Sequence, residues 1–117
     1  MAQPFQSTHF RNLNDTGQNV SNGRCHIVKF IVTNSIAAAT AFVQIFNVAA
    51  ASVTLGTTVP LFVIHVPAAS ATVGGTVEIG FELPGLLFET RCSVFGTTTA
   101  EGSTGTADGL FLQAFVN

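Results

Sequence analysis

The chain has 117 residues, 47% of them apolar and only 9% charged, with a net charge of −2. One domain of ordinary size is expected, with a core large enough to form without metals or a dense disulfide framework. With four Lys and Arg in all, the chain has no basic face for a nucleic-acid backbone or an anionic membrane surface.

Taken in chain order, residues 1–23 are polar and rich in Asn, Gln, Ser and Gly. They read as an extended N-terminal arm with at most one short strand, and no secretory signal is expected there, because no basic segment leads into an apolar one. "CHIVKFIVT" (25–33) is β-branched and aromatic and stops at the turn pair Asn34-Ser35. "TAFVQIFN" (40–47) sets Ala41, Val43 and Ile45 on one face against Phe42, Gln44 and Phe46 on the other. "VPLFVIHV" (59–66) is a short apolar run bounded by Pro60 and Pro67. "GTVEIGFEL" (75–83) places Val77, Ile79, Phe81 and Leu83 inward, with Thr76, Glu78, Gly80 and Glu82 outward. "GLLFETRCSVFG" (85–96) sets Leu87, Glu89, Arg91, Ser93 and Phe95 opposite Phe88, Thr90, Cys92 and Val94. "LFLQAFV" (110–116) closes the chain. Period-2 runs between turn clusters are the signature of half-buried strands.

Residues 30–56 contain no charge, yet they do not read as a membrane span. Thr33, Asn34, Ser35, Thr40, Gln44 and Asn47 interrupt the run, Gly56 ends it, and no Trp or Tyr marks an interface. The alanines of 35–41 make about two helical turns, too short to stand alone. Strands separated by Gly, Thr and Pro turns predict a single antiparallel β-sandwich over 24–117, jelly-roll-like, with an immunoglobulin-like key as the alternative. Several strands are apolar on both faces, and a neighbouring subunit is one way to cover the excess. The Gly/Thr-rich stretch 96–109 reads as an exposed loop, carried on a long hairpin made by its flanks.

Candidate chemistry is sparse. Asp15-Thr16-Gly17 matches the triplet of aspartic proteases, where two carboxylates share a proton. Here it lies among polar residues rather than apolar strands, so a turn is the better reading. His9, His26 and His65 are scattered. A metal site needs three or four convergent ligands, and none is expected; nor is a cofactor. Cys25 and Cys92 fall in separate strands and read as reduced, buried thiols rather than an inter-sheet disulfide. Glu78 and Glu82 share a strand face at a separation wider than the roughly 5 Å of a retaining glycosidase pair, nearer the inverting range. No Trp or Tyr is present to stack a sugar, and Glu89 beside Arg91 reads as outward surface. The chain is not expected to be an enzyme.

Against this background the segments "KFIVTNSIAAATAFVQIFNV", "PLFVIHVPAASATV" and "GLLFETRCSVFGTTTAEGSTGTADGLFLQAFVN" resemble small all-β proteins of tailed-bacteriophage virions. The likeness lies in a strand ending in Thr-Asn before an alanine run, a Phe-Val-Gln-Ile-Phe-Asn strand, and a Pro-Leu-Phe-Val-Ile-His-Val-Pro-Ala strand. A Gly-Leu-x-Phe segment, a Thr-rich loop and a terminal strand follow. The resemblance implies a homotrimeric head-decoration (cement) protein on the outer surface of the capsid, with the major capsid protein as partner. A receptor- or glycan-binding component of a head fibre or spike is the alternative it leaves open. The residues themselves then supply two expectations. Phe5, Phe10 and Arg11 of the arm would touch the capsid, and Thr98, Glu101, Ser103 and Asp108 would sit on the exposed loop. A sparsely charged surface suits close tiling, because few ions need desolvating.

Overall fold

A computed structural model describes residues 6–36, 39–69, 75–106 and 109–117. Among the described residues nine strands form: β1 Gln6–Phe10, β2 Gln18–Asn19, β3 Cys25–Asn34, β4 Ala41–Phe46, β5 Phe62–Val66, β6 Gly75–Gly80, β7 Leu86–Phe88, β8 Ser93–Thr97 and β9 Leu110–Val116. The only helical element among the described residues is a 3₁₀ turn, Ala50–Ser52.

Sheet I has the order β1-β9-β3-β6, with β7 also paired to β3, and sheet II has the order β2-β8-β4-β5. Every pairing is antiparallel. The pairs are nested: β1 with β9, β2 with β8, β3 with β6 and β7, β4 with β5. The chain is thus one long hairpin, bent between β4 and β5 and wrapped so that its arms are dealt between two sheets. That is the jelly-roll arrangement, and it differs from the strand order of the immunoglobulin alternative.

The inner faces follow the alternation. Val43 and Ile45 on β4, Ile64 and Val66 on β5, and Leu110, Leu112 and Ala114 on β9 are all buried. Strand β3 departs from it. Its pairing with β9 shifts register between Ile27 and Lys29, so Val28 is the extra residue of a bulge. Ile27 and Phe30, three positions apart, consequently both point inward and are fully buried. Phe62 closes the sandwich between β5 and β6, with ring centroids 6.3 Å from Phe30 and 6.2 Å from Phe81. Fully burying a phenylalanine contributes roughly 1.5–3 kcal/mol; Phe30 is enclosed to that extent and Phe62 in part.

Four expectations are revised. The described part of 1–23 is built into the sandwich rather than held apart: β1 is an edge strand of sheet I, β2 pairs with β8, and Leu13 and Val20 are core residues. Edge position, with one side of the strand toward solvent, accounts for the polar composition. The 85–96 run is two strands in two sheets, β7 and β8, joined by a crossover. The flanks of 96–109 do not pair, because β8 lies in sheet II and β9 in sheet I. Leu83 is 67% exposed, since β6 ends at Gly80 and the chain turns at 82–85 through the Gly85 N–H donating to Glu82 O (2.7 Å).

Candidate functional site

Sequence and register together define two outer faces. On sheet II, β4 presents Phe42, Gln44 and Phe46 outward, level with Thr97, Phe95 and Ser93 of β8. These are not surface residues: Gln44 is 0% exposed, Phe46 1% and Phe95 4%. The cover comes from the chain itself. Gly17 lies against the Phe95 ring, where a Cβ would collide with it. The 98–105 loop folds down over Gln44, whose Nε2 donates to Thr97 Oγ1 and to Gly102 O, both at 3.0 Å. Thr97 Oγ1 donates to Thr99 O (2.7 Å), the Thr98 N–H to Thr104 O (3.0 Å), and Thr106 Oγ1 to Leu13 O (2.7 Å). Ser93 Oγ donates to Val48 O (2.7 Å) and the Ala50 N–H to Asn19 Oδ1 (2.9 Å), holding the 48–52 segment close by. Gln44 Oε1 is buried and receives no hydrogen bond among the described residues.

On sheet I the outer face comprises Ser7 and His9 of β1, Phe111, Gln113 and Phe115 of β9, Lys29, Ile31 and Thr33 of β3, and Thr76 and Glu78 of β6. Ile31, Phe111 and Phe115 are half-buried. Side-chain bonds on this face, among the described residues, join members of the face to each other. Lys29 Nζ lies 2.7 Å from Glu78 Oε1, the Thr33 and Thr76 hydroxyls are 3.4 Å apart, and the His9 and Phe111 rings lie 5.8 Å apart. Along β9 the phenylalanines flank Gln113, which lies level with Ile31 and His9, and the ion pair on this face is internally neutralised.

The residues singled out from sequence fall as follows. Phe5 and Asp108 lie outside the described residues. Phe10 is not a free anchor: it is half-buried, packs on the core and sits opposite Leu112. Arg11 is exposed just past β1. Thr98, Glu101 and Ser103 are exposed on the loop, but that loop is strapped across sheet II rather than projected from one end.

Asp15 sits in a turn capped by Asn14, whose Oδ1 accepts the Thr16 N–H at 2.8 Å. Glu78 and Glu82 do not share a strand face, because Glu82 lies beyond the end of β6. Glu89 pairs loosely with Arg24 (3.9 Å), not with Arg91, whose Nη2 donates to Asn22 O (2.9 Å). His26 is on sheet I and His65 on sheet II, where it stacks on Phe42 at 4.9 Å. Among the described residues no group of three His, Cys, Asp or Glu is placed to hold a metal, and no helix is long and apolar enough to cross a membrane.

Cys25 and Cys92 are both buried free thiols. Burial pushes the Cys92 thiol far above its ordinary range, and the neighbouring Cys25 adds to the shift. A neutral, buried thiol is a packing group rather than a nucleophile.

Sequence reasoning missed two polar residues that organise the ends of strands. Asn34 is fully buried; its Nδ2 donates to Ala39 O (2.8 Å) and Pro67 O (3.2 Å) and its Oδ1 accepts from the Ile36 N–H (2.9 Å). It ties the 35–40 and 67–69 connections together. Gln44 does the same for the 98–105 loop. The only available signal was a lone amide between two outward phenylalanines. Comparison with family models, with curated proteins and with solved structures finds no match.

Proposed function

We propose that this chain is a structural protein of a bacteriophage virion, a decoration protein that binds the assembled head and bridges major capsid subunits as a homotrimer. The observation that carries the reading is the outer face of sheet I, where Ile31, Phe111 and Phe115 stand half-buried and the Lys29–Glu78 pair is neutralised within the face. Such a face can be covered by another protein surface without stranding a charge, and the low charge of the whole chain allows close tiling. Binding only the assembled lattice would stabilise it by mass action. The apolar excess available for such contacts is smaller than the strand patterns alone indicate, because loops of the chain itself cover Gln44, Phe46 and Phe95 on sheet II.

The test is light scattering across a concentration series, followed by co-sedimentation with mature phage heads stripped of decoration. A trimer that co-sediments and raises the disruption temperature of the heads supports the reading. A monomer at every concentration that stays in the supernatant overturns it. The contribution of Phe5 is tested by removing residues 2–5 only, since a longer truncation would delete β1.

A further inference from the structure

The register of β1 puts polar side chains where a sandwich ordinarily places apolar ones. Gln6, Thr8 and Phe10 sit opposite Val116, Ala114 and Leu112 of β9, and Leu112 and Ala114 are fully buried. Gln6 and Thr8 therefore share the inward face, while Ser7 and His9 point out. Across from them β2 is only two residues long, so sheet II stops short and, among the described residues, the sandwich is open along this edge. A cleft of about 510 Å³ results, within the size range of small-ligand sites. Gln6, Thr8, Asn22, Arg24 and Asn117 supply its polar groups, and Val20, Cys25 and Val116 its apolar surface.

Gln6 is exposed and Thr8 half-buried at these inward positions, so edge position tolerates their polarity and their polar groups open into the cleft. The surrounding bonds hold the cleft in shape without exhausting its hydrogen-bonding capacity. Arg91 Nη2 fixes Asn22 through its carbonyl (2.9 Å), and Ser21 Oγ donates to Gly23 O (2.7 Å). Asn117 Nδ2 donates to Pro84 O (3.1 Å), leaving its Oδ1 open. The side chains of Gln6, Thr8 and Asn22 make no hydrogen bond among the described residues. Arg24 is the one charged side chain in the lining, and the Glu89 carboxylate, 3.9 Å away outside the cleft, offsets its charge loosely.

We propose that this cleft binds one unit of an uncharged saccharide. Side-chain amides and a hydroxyl offer donor and acceptor together, the pairing that adjacent sugar hydroxyls require. The apolar surface of Val20, Cys25 and Val116 receives the C–H face of the ring. With no aromatic ring to stack on, affinity for a single unit is about millimolar. Many copies displayed together would raise the effective affinity, but the site stands whether or not the chain decorates a shell.

The test is two-dimensional NMR of the full chain, labelled with nitrogen-15 and titrated with glucose, galactose, mannose, N-acetylglucosamine and their short oligomers. Glucuronic acid is the charged control. Saturable shifts at the amides of Gln6, Thr8, Asn22 and Asn117 with a neutral sugar are expected. Thr8→Val and Asn22→Ala should each weaken binding by about three- to tenfold while leaving the spectrum dispersed. The wild-type shifts locate the site even if one variant fails to fold. No shift with any sugar, shifts confined to the 98–106 loop, or binding of glucuronic acid alone would each overturn the assignment.

Discussion

Strands β4 and β9 carry the same outward pattern, Phe-x-Gln-x-Phe: Phe42, Gln44 and Phe46 on one, Phe111, Gln113 and Phe115 on the other. On β4 the Gln and the second Phe are fully buried, whereas on β9 all three residues are half-buried. The motif does not decide this. What decides it is whether distant segments return to cover it, as 14–17, 48–52 and 98–105 do on sheet II. An apolar outer face is therefore evidence for a partner only after the chain's own loops have been placed.

The largest effect follows from that contrast. Phe46→Ala should destabilise the folded chain by about 3–5 kcal/mol, because its ring is enclosed and meets Phe95 edge-on at 5.4 Å. Phe115→Ala, at the matching half-buried position on β9, should cost clearly less, about 1–2 kcal/mol. Urea denaturation of both variants gives the comparison. Equal losses would mean that the β9 face is as well covered as the β4 face, and the proposed contact surface would be gone.

The strap across sheet II gives the next effect. Gln44→Ala removes two hydrogen bonds and leaves Gly102 O without its donor, a loss of about 1–3 kcal/mol. Hydrogen exchange should localise it: the Thr98 and Thr106 amides, bonded to Thr104 O and Gly96 O, should exchange faster than the β3 amides. Uniform acceleration would show that the loop is not held separately.

These two regions also show what the sequence made legible. Strands were readable because each buries one face, and period 2 survives wherever that holds. The run 85–96 read as one strand because Phe88, Cys92 and Val94 keep their alternation while the chain passes between sheets lining the same core. Periodicity reports the direction of the core, not sheet membership. The bulge at Val28 inserts one residue into a β-rich run and leaves no compositional mark. The burial of Gln44, and the strapping of a Gly/Thr loop that looked free, depend on residues far away in the chain. Inward-facing Gln6 and Thr8 were hidden within a segment whose polarity was read as detachment from the fold.

A smaller effect depends on pH. With the folded-state Cys92 thiol raised by burial, stability is insensitive to this group below the ordinary thiol range, where folded and unfolded chains both hold the proton. Above about pH 8.5 the unfolded chain releases it and the folded chain does not. Stability should then fall by up to about 1.4 kcal/mol per pH unit. Denaturation at neutral and alkaline pH should show the decline, and Cys92→Ala should reduce it. An unchanged slope in the variant would assign the decline to other groups.

The smallest effect on the isolated chain is the most informative about sheet I. Lys29 and Glu78 form a close pair whose side chains are 38% and 56% exposed, so removing one partner should cost the free chain no more than about 1 kcal/mol. If another protein surface covers this face, Glu78→Gln leaves a buried, uncompensated ammonium, and association should weaken far more than folding does. Replacing both residues, as Lys29→Met with Glu78→Leu, removes the charges together and should preserve or strengthen association. Light scattering on the single and double variants separates the cases. Weak association only in the single variant marks the pair as lying within a contact. Indifference in both leaves Lys29 and Glu78 facing water, and the contact must then be sought nearer Phe111 and Phe115.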